Sequence, residues 1–86
     1  MANPFLDIAM HKLWEAQKER EDDVALMMVI LAMHQFCAGM QANRVGNSGQ
    51  LDLAMSGLWR ASKEKEIGDM IGGMALGFYQ LCAAMR

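Results

Sequence analysis

Residues 5–21 read FLDIAMHKLWEAQKERE, and residues 50–66 read QLDLAMSGLWRASKEKE. An offset of 45 residues aligns the whole of 5–41 with 50–86 without a gap, and more than a third of the 37 paired positions are identical. Both tryptophans (Trp14 and Trp59) and both cysteines (Cys37 and Cys82) fall in register. Self-similarity at a fixed offset marks a duplicated structural unit. The chain is therefore one unit of roughly forty residues written twice.

The first segment of each copy has the pattern of an amphipathic helix. Asn3 is a suitable N-cap, Pro4 suits the first helical position, and Ser48 is the corresponding cap in the second copy. Asp7 and Asp52 are then expected in the first turn, where a carboxylate favours the helix dipole. At 3.6 residues per turn, each copy places apolar residues on one face. These are Leu6, Ala9, Met10 and Leu13 in the first copy, and Leu51, Ala54, Met55 and Leu58 in the second.

The second segment of each copy is apolar on all sides. Val24–Met33 is an unbroken apolar run, and Met70–Met85 is nearly as apolar, with Gln80 as an interruption. A helix that is hydrophobic all round is usually buried. We therefore expect these two segments at the centre of the assembly and the first segments at its flanks. Gly72, Gly73 and Gly77 would also allow a close approach of another backbone.

These elements predict an all-α fold in which two tandem helical hairpins form a four-helix bundle. The expected organisation is a single domain, 1–86, made of repeats 3–41 and 48–86 joined by loop 42–47. Breaks are expected at 18–23, with Asp22 or Asp23 as a cap, and at 62–68, with Gly68-Asp69 as break and cap. Both stretches are also good helix material, so the alternative is one long two-helix hairpin that dimerises. Matching chemistry in the two copies further predicts a pseudo-two-fold axis between them.

Composition limits the possible partners. The 86 residues carry a net charge of −2, and 53% are hydrophobic, which is more apolar material than so small a domain easily buries. This excess predicts self-association as a homodimer or larger assembly. Basic residues (lysine or arginine) and glutamate alternate in 18–21 and 63–66 instead of forming a basic patch, so nucleic acid is not an expected partner. Two cysteines and an opening without a secretory pattern favour a cytoplasmic protein.

The sequence offers no constellation of catalytic residues, and the protein is not expected to be an enzyme. Ser48, Ser56 and Ser62 stand at a cap or on polar faces, without the partners of a nucleophilic triad. His34 and Cys37 are three residues apart, but Tyr79 replaces the histidine in the second copy. A structural zinc site needs four ligands, so no metal and no cofactor is predicted.

The sequence favours a non-enzymatic protein–protein interaction module that acts as a regulator, an inhibitor or a chaperone or adaptor. Ten methionines provide flexible apolar side chains of the kind found on surfaces that bind varied helices. The alternatives are a membrane-associated hairpin formed by the two apolar segments and a cofactor-binding bundle. A membrane is not an expected partner, because the first apolar run is short and His34 and Gln35 follow it in the same helix. Replacing Leu13 or Leu58 with Ala is expected to cost about 2–5 kcal/mol at either site. The predicted partner-binding residues are Met10, Leu13, Trp14, Met55, Leu58 and Trp59.

Overall fold

The computed structural model describes residues 3–86, which form four α-helices and no strand. The helices are α1 (Pro4–Lys18), α2 (Asp22–Ala42), α3 (Ser48–Ser62) and α4 (Ile67–Met85). α1 packs against α2 and α3 packs against α4, and contacts of α2 with α3 and α4 join the two hairpins. The predicted all-α fold of two hairpins is confirmed. The alternative with one continuous helix per copy is wrong, because the chain leaves the helical path at 19–21 and at 63–66.

Asparagine side chains cap the first helix of each hairpin. The Oδ1 atom of Asn3 accepts hydrogen bonds from the backbone N–H groups of Phe5 and Leu6, and Pro4 is the first helical residue, as predicted. The predicted cap of α3 is corrected by one position. Asn47 is the N-cap, and its Oδ1 accepts from the N–H of Gln50 at 3.0 Å. Asparagine occupies this position readily because its short side chain reaches those backbone donors.

The earlier start of α3 moves Asp52 out of the first turn. Asp7 lies in the first turn of α1 as expected, whereas α3 has no acidic residue there. The carboxylate of Asp52 instead accepts a hydrogen bond of 2.7 Å from Nε2 of Gln41 near the end of α2. Asp52 therefore ties the two hairpins together rather than stabilising the N-terminus of its own helix.

The second helices start earlier than the expected caps. α2 follows the N-cap Glu21, and α4 follows the N-cap Glu66, without a side-chain capping bond at either position. Asp22 and Asp23 lie inside the first turn of α2, and Asp69 lies inside the first turn of α4. Their carboxylates thus favour the helix dipole without serving as caps.

Each hairpin is closed by a hydrogen bond to the same repeat position. Nδ2 of Asn3 donates to the carbonyl of Gly39 at 3.2 Å, and the N–H of Asn47 donates to the carbonyl of Ala84 at 2.8 Å. The loop 43–47 needs the left-handed conformation at Gly46, where φ is +83°. A Cβ there would lie 2.5 Å from Cε of Met85, so this glycine allows the loop to pack on the end of α4.

The main core lies between α2, α3 and α4, and α1 contributes no residue to it. α1 rests on α2, with the small residues Ala9 and Ala16 buried. α2 contacts all three other helices and is central, as expected. α4 differs from the expectation, because much of its apolar surface is exposed while α3 is more deeply buried. The core cluster consists of Ile30, Cys37, Leu51, Ala54, Leu58, Ala61, Met70, Leu81 and Ala84.

Two glycines explain the close packing of the second hairpin. A Cβ on Gly77 would lie 2.6 Å from Cδ2 of Leu58, and a Cβ on Gly73 would lie 2.6 Å from Cβ of Ala61. Each glycine is therefore a notch that receives a side chain of α3. The first copy has Met28 and Ala32 at these positions. Methionine and alanine carry a Cβ at these positions, so the first copy lacks the two glycines that receive Leu58 and Ala61 in the second.

The central helix also has the length and composition to cross a membrane. α2 has 21 residues, and an 18-residue window within it has a mean hydropathy of 1.6. Among residues 3–86 it is the one helix that meets this criterion. A core helix of a soluble bundle has the same properties, and α2 packs against three other helices here.

Candidate helix-binding cleft

An apolar cleft opens between α1 and α4. Within 3–86, α1 contacts α2 alone, and the space left beside it is a cavity of about 400 Å³ open to solvent. The bottom of the cleft is formed by Ala9 of α1 and by Ala32, Met33 and Phe36 of α2, and the two alanines are buried. Leu6, Met10 and Leu13 of α1 line one wall, and Phe78 and Leu81 of α4 line the other. Every one of these side chains is apolar, so the cleft offers shape and apolar surface, and no polar side chain, to whatever enters it.

The repeat shows that the cleft stands where a helix–helix contact is absent: α2 packs against α3, but the equivalent pair, α4 and α1, makes no such contact. Leu58 is completely buried, whereas its counterpart Leu13 is 47% exposed. Met55 is half-buried against the core, whereas its counterpart Met10 is 68% exposed. A complete two-fold relation between the copies would pair α1 with α4 as α2 is paired with α3. The predicted two-fold is therefore incomplete at this helix pair.

The tryptophans have closely related local environments. Nζ of Lys18 lies 4.6 Å from the ring centroid of Trp14, and Nζ of Lys63 lies 4.3 Å from that of Trp59. Trp14 is 57% exposed and Trp59 is 49% exposed. The second tryptophan has one additional neighbour, because the ring of His34 lies 6.0 Å away, centroid to centroid. The symmetry therefore holds within each first helix, where the cation and the ring are four residues apart.

The structure separates the six predicted partner-binding residues into two groups. Met10, Leu13 and Trp14 are exposed together and form, with Gln17, a shallow groove that continues from the cleft. The remaining three do not form a matching surface: Leu58 lies in the core, Met55 packs against it, and Trp59 is exposed beside His34. Of the six residues, the three of the first copy thus share one exposed surface, and the three of the second copy do not.

Sequence reasoning did not identify the α2 side of the bottom or the far wall of the cleft. Phe36 is paired with Leu81 in the repeat, and Met33 is paired with Phe78. All four line the cleft. A change of side-chain size between the two copies at these pairs was the available signal. It indicates that equivalent positions no longer fill equivalent spaces.

No reactive group stands in this cleft. Burial raises the pKa of the Cys37 thiol to about 11, and burial also lowers the pKa of His34. Cys82 is exposed on α4 and does not line the cleft. In the part of the chain that the structure describes, no group of three or more His, Cys, Asp or Glu residues could hold a metal ion.

The chain matches no protein-family model, no curated protein and no solved structure.

Proposed function

We propose that this protein is a non-enzymatic interaction module that binds an amphipathic helix of a partner protein, and so acts as a regulator, inhibitor or adaptor. The observation that carries this proposal is the open cleft between α1 and α4. The other copy of the repeat buries the equivalent face of α3 under neighbouring helices. A surface that is packed in one copy and open in the other is a natural place for a helix to dock.

Exposed apolar side chains supply the driving force. Met10, Leu13, Phe36 and Phe78 are all exposed around one cavity. Covering such surface contributes about 25 cal/mol per Å² of apolar area removed from water. Methionine adapts its shape to different neighbours, so Met10 and Met33 suit an occupant whose side chains vary.

The dimensions of the cleft favour a helix face over a small ligand that is enclosed completely. The volume of about 400 Å³ can accept several large side chains, while a helix backbone would rest across the open mouth. The small side chains of Ala9 and Ala32 at the bottom of the cleft leave room for large side chains of the partner helix. Leucine or isoleucine at positions i, i+3, i+4 and i+7 of the partner would project into the cleft together.

Tryptophan fluorescence provides a direct test. In a Trp59→Phe variant, Trp14 is the single tryptophan and lies beside the cleft. We would titrate this variant with a synthetic amphipathic peptide that has leucine at heptad a and d positions and contains no tryptophan. A peptide of the same composition in scrambled order, which has no apolar face, is the control. We expect a saturable spectral shift with the amphipathic peptide alone.

A paired substitution localises the binding. Leu13→Glu places a charge in the wall of the cleft, whereas Leu53→Glu places one on an exposed part of α3 that lines none of the described cavities. We expect the first variant to lose peptide binding and the second to retain it. Equal responses to the two peptides, or unchanged binding in Leu13→Glu, would overturn the proposal.

Membrane association is a second candidate, favoured by the composition of α2. It requires α2 to exchange its three helix neighbours for lipid. Purification without detergent and flotation with lipid vesicles test this. A protein that stays in the aqueous fraction and does not float with vesicles rules out the candidate.

A further inference from the structure

α4 carries an uncovered apolar stripe. Its members follow one another at three- or four-residue intervals, which places them on one side of the helix. All five are exposed, and none carries a charge. The α4 stripe consists of Ile71, Ala75, Phe78, Cys82 and Met85.

The repeat places an equivalent stripe on α2, and there it is covered. Ile30 and Cys37 are fully buried in the core cluster with residues of α3, and the other three members pack against that cluster. Cysteine and methionine recur at the last two positions of both stripes. The α2 stripe consists of Leu26, Ile30, Met33, Cys37 and Met40.

The α3 residues that share the core cluster with the α2 stripe, or pack against it, also have counterparts in the first copy. Four of these α3 residues are Leu51, Ala54, Met55 and Leu58, and all four are buried or half-buried. On α1 the same four residue types stand at Leu6, Ala9, Met10 and Leu13. This α1 stripe meets no helix of the second hairpin, because α1 contacts α2 alone within residues 3–86.

We infer that two copies of this chain associate by placing the α4 stripe of one copy on the α1 stripe of the other. The α4 stripe and the two exposed members of the α1 stripe, Met10 and Leu13, are the repeat counterparts of residues that α2 and α3 place in or against the core cluster. Their complementarity is thus built into the duplicated sequence. In a two-fold dimer the contact forms twice, once in each direction, and leaves neither stripe open. The inference deepens the proposed function and rests on it, since the second copy would be an occupant of the same cleft.

Light scattering after size exclusion, at several protein concentrations and without detergent, tests the association. We expect the wild-type chain to reach the mass of a dimer as concentration rises. A charge buried without a partner at an interface is strongly unfavourable. Leu13→Glu and Ala75→Glu should therefore raise the dissociation constant by about a hundredfold or more, which corresponds to about 2.7 kcal/mol.

Two matched substitutions control for the added charge. Leu53 on α3 and Leu76 on α4 are each 58% exposed. Leu76 lies about 140° around the helix from Ile71, away from the α4 stripe. Leu53→Glu and Leu76→Glu should dimerise like the wild type. A wild-type chain that stays monomeric, or a dimer that survives both Leu13→Glu and Ala75→Glu, would overturn the inference.

Ala75→Glu also separates this inference from the proposed function, because Ala75 does not line the cleft. If both hold, the monomeric Ala75→Glu variant binds the amphipathic peptide more tightly than the wild type does, since no second copy competes. If the wild type is monomeric and still binds the peptide, self-docking fails and helix binding stands. If the wild type dimerises but Ala75→Glu binds no peptide, helix binding fails while the dimer contact remains.

Discussion

The first and second copies of the repeat differ in what covers them more than in what they contain. α1 and α3 carry the same four apolar residues on one face, yet Met10 and Leu13 are exposed on α1, whereas their counterparts on α3 are half-buried and fully buried. α2 and α4 show the reverse, with the stripe covered in the first copy and exposed in the second. Contacts of α2 with α3 and α4 join the copies, while Met10 and Leu13 of the first copy and the α4 stripe of the second stay exposed.

This difference separates two kinds of information in a helical sequence. Apolar periodicity determines which face of a helix avoids water, because it depends on residue spacing alone. It does not determine which neighbour covers that face. The neighbour depends on steric details such as Gly77, which receives Leu58, and Ala32, which does not provide the same notch for Leu13.

The largest expected effect is a difference between two identical substitutions. Leu58→Ala should lower the free energy of unfolding by about 2–5 kcal/mol, since Leu58 is fully buried. Leu13→Ala should cost only about 1 kcal/mol, because Leu13 is 47% exposed and gives up less buried area. This revises the expectation of equal costs made from the sequence. Urea denaturation of both variants in an Ala75→Glu background measures folding separately from self-docking.

Equal losses at the two leucines would break the comparison. They would mean that α1 is covered in solution within a single chain. A small loss at Leu58 would contradict the assignment of α3 to the core.

The sequence was sufficient for the elements that local chemistry decides. The duplication, the four helices, the cap at Asn3 and the central place of α2 were all predictable from periodicity and turn residues. The exposure of Leu13 was not predictable from its own helix, because Leu13 and Leu58 have the same residues at i−4, i−3, i+1 and i+3. Only the packing partners distinguish them. Phe36 and Phe78 were missed for the same reason, since their exposure depends on a contact between α1 and α4 that does not form.

An intermediate effect is expected from the glycine notch. Gly77→Ala should destabilise the protein by about 1–2 kcal/mol, because overpacking costs about 1–3 kcal/mol and alanine returns up to about 1 kcal/mol of helix propensity. The new Cβ would lie 2.6 Å from Leu58. Gly72→Ala on the same helix is the matched control, since nothing lies within 4 Å of its added Cβ.

Gly72→Ala should stabilise the protein by up to about 1 kcal/mol, again measured by urea denaturation. The glycine explanation predicts that Gly77→Ala lowers the free energy of unfolding and that Gly72→Ala raises it. Stabilisation by both alanines would show that Leu58 does not depend on the notch, and the glycine explanation for the closed second hairpin would have to be abandoned.

The smallest effect is the one that should be the same in both copies. Lys18→Gln and Lys63→Gln each remove the ammonium group that lies over a tryptophan four residues earlier. Each should cost about 0.5–1 kcal/mol, the usual range for an exposed cation–π contact, with little change in helix propensity. Because each contact joins residues four apart at the C-terminal end of one helix, it does not depend on whether α1 or α3 is covered. Denaturation followed by tryptophan fluorescence would measure both, and a clearly larger loss at Lys63 would show that His34, beside Trp59, makes even this contact depend on tertiary packing.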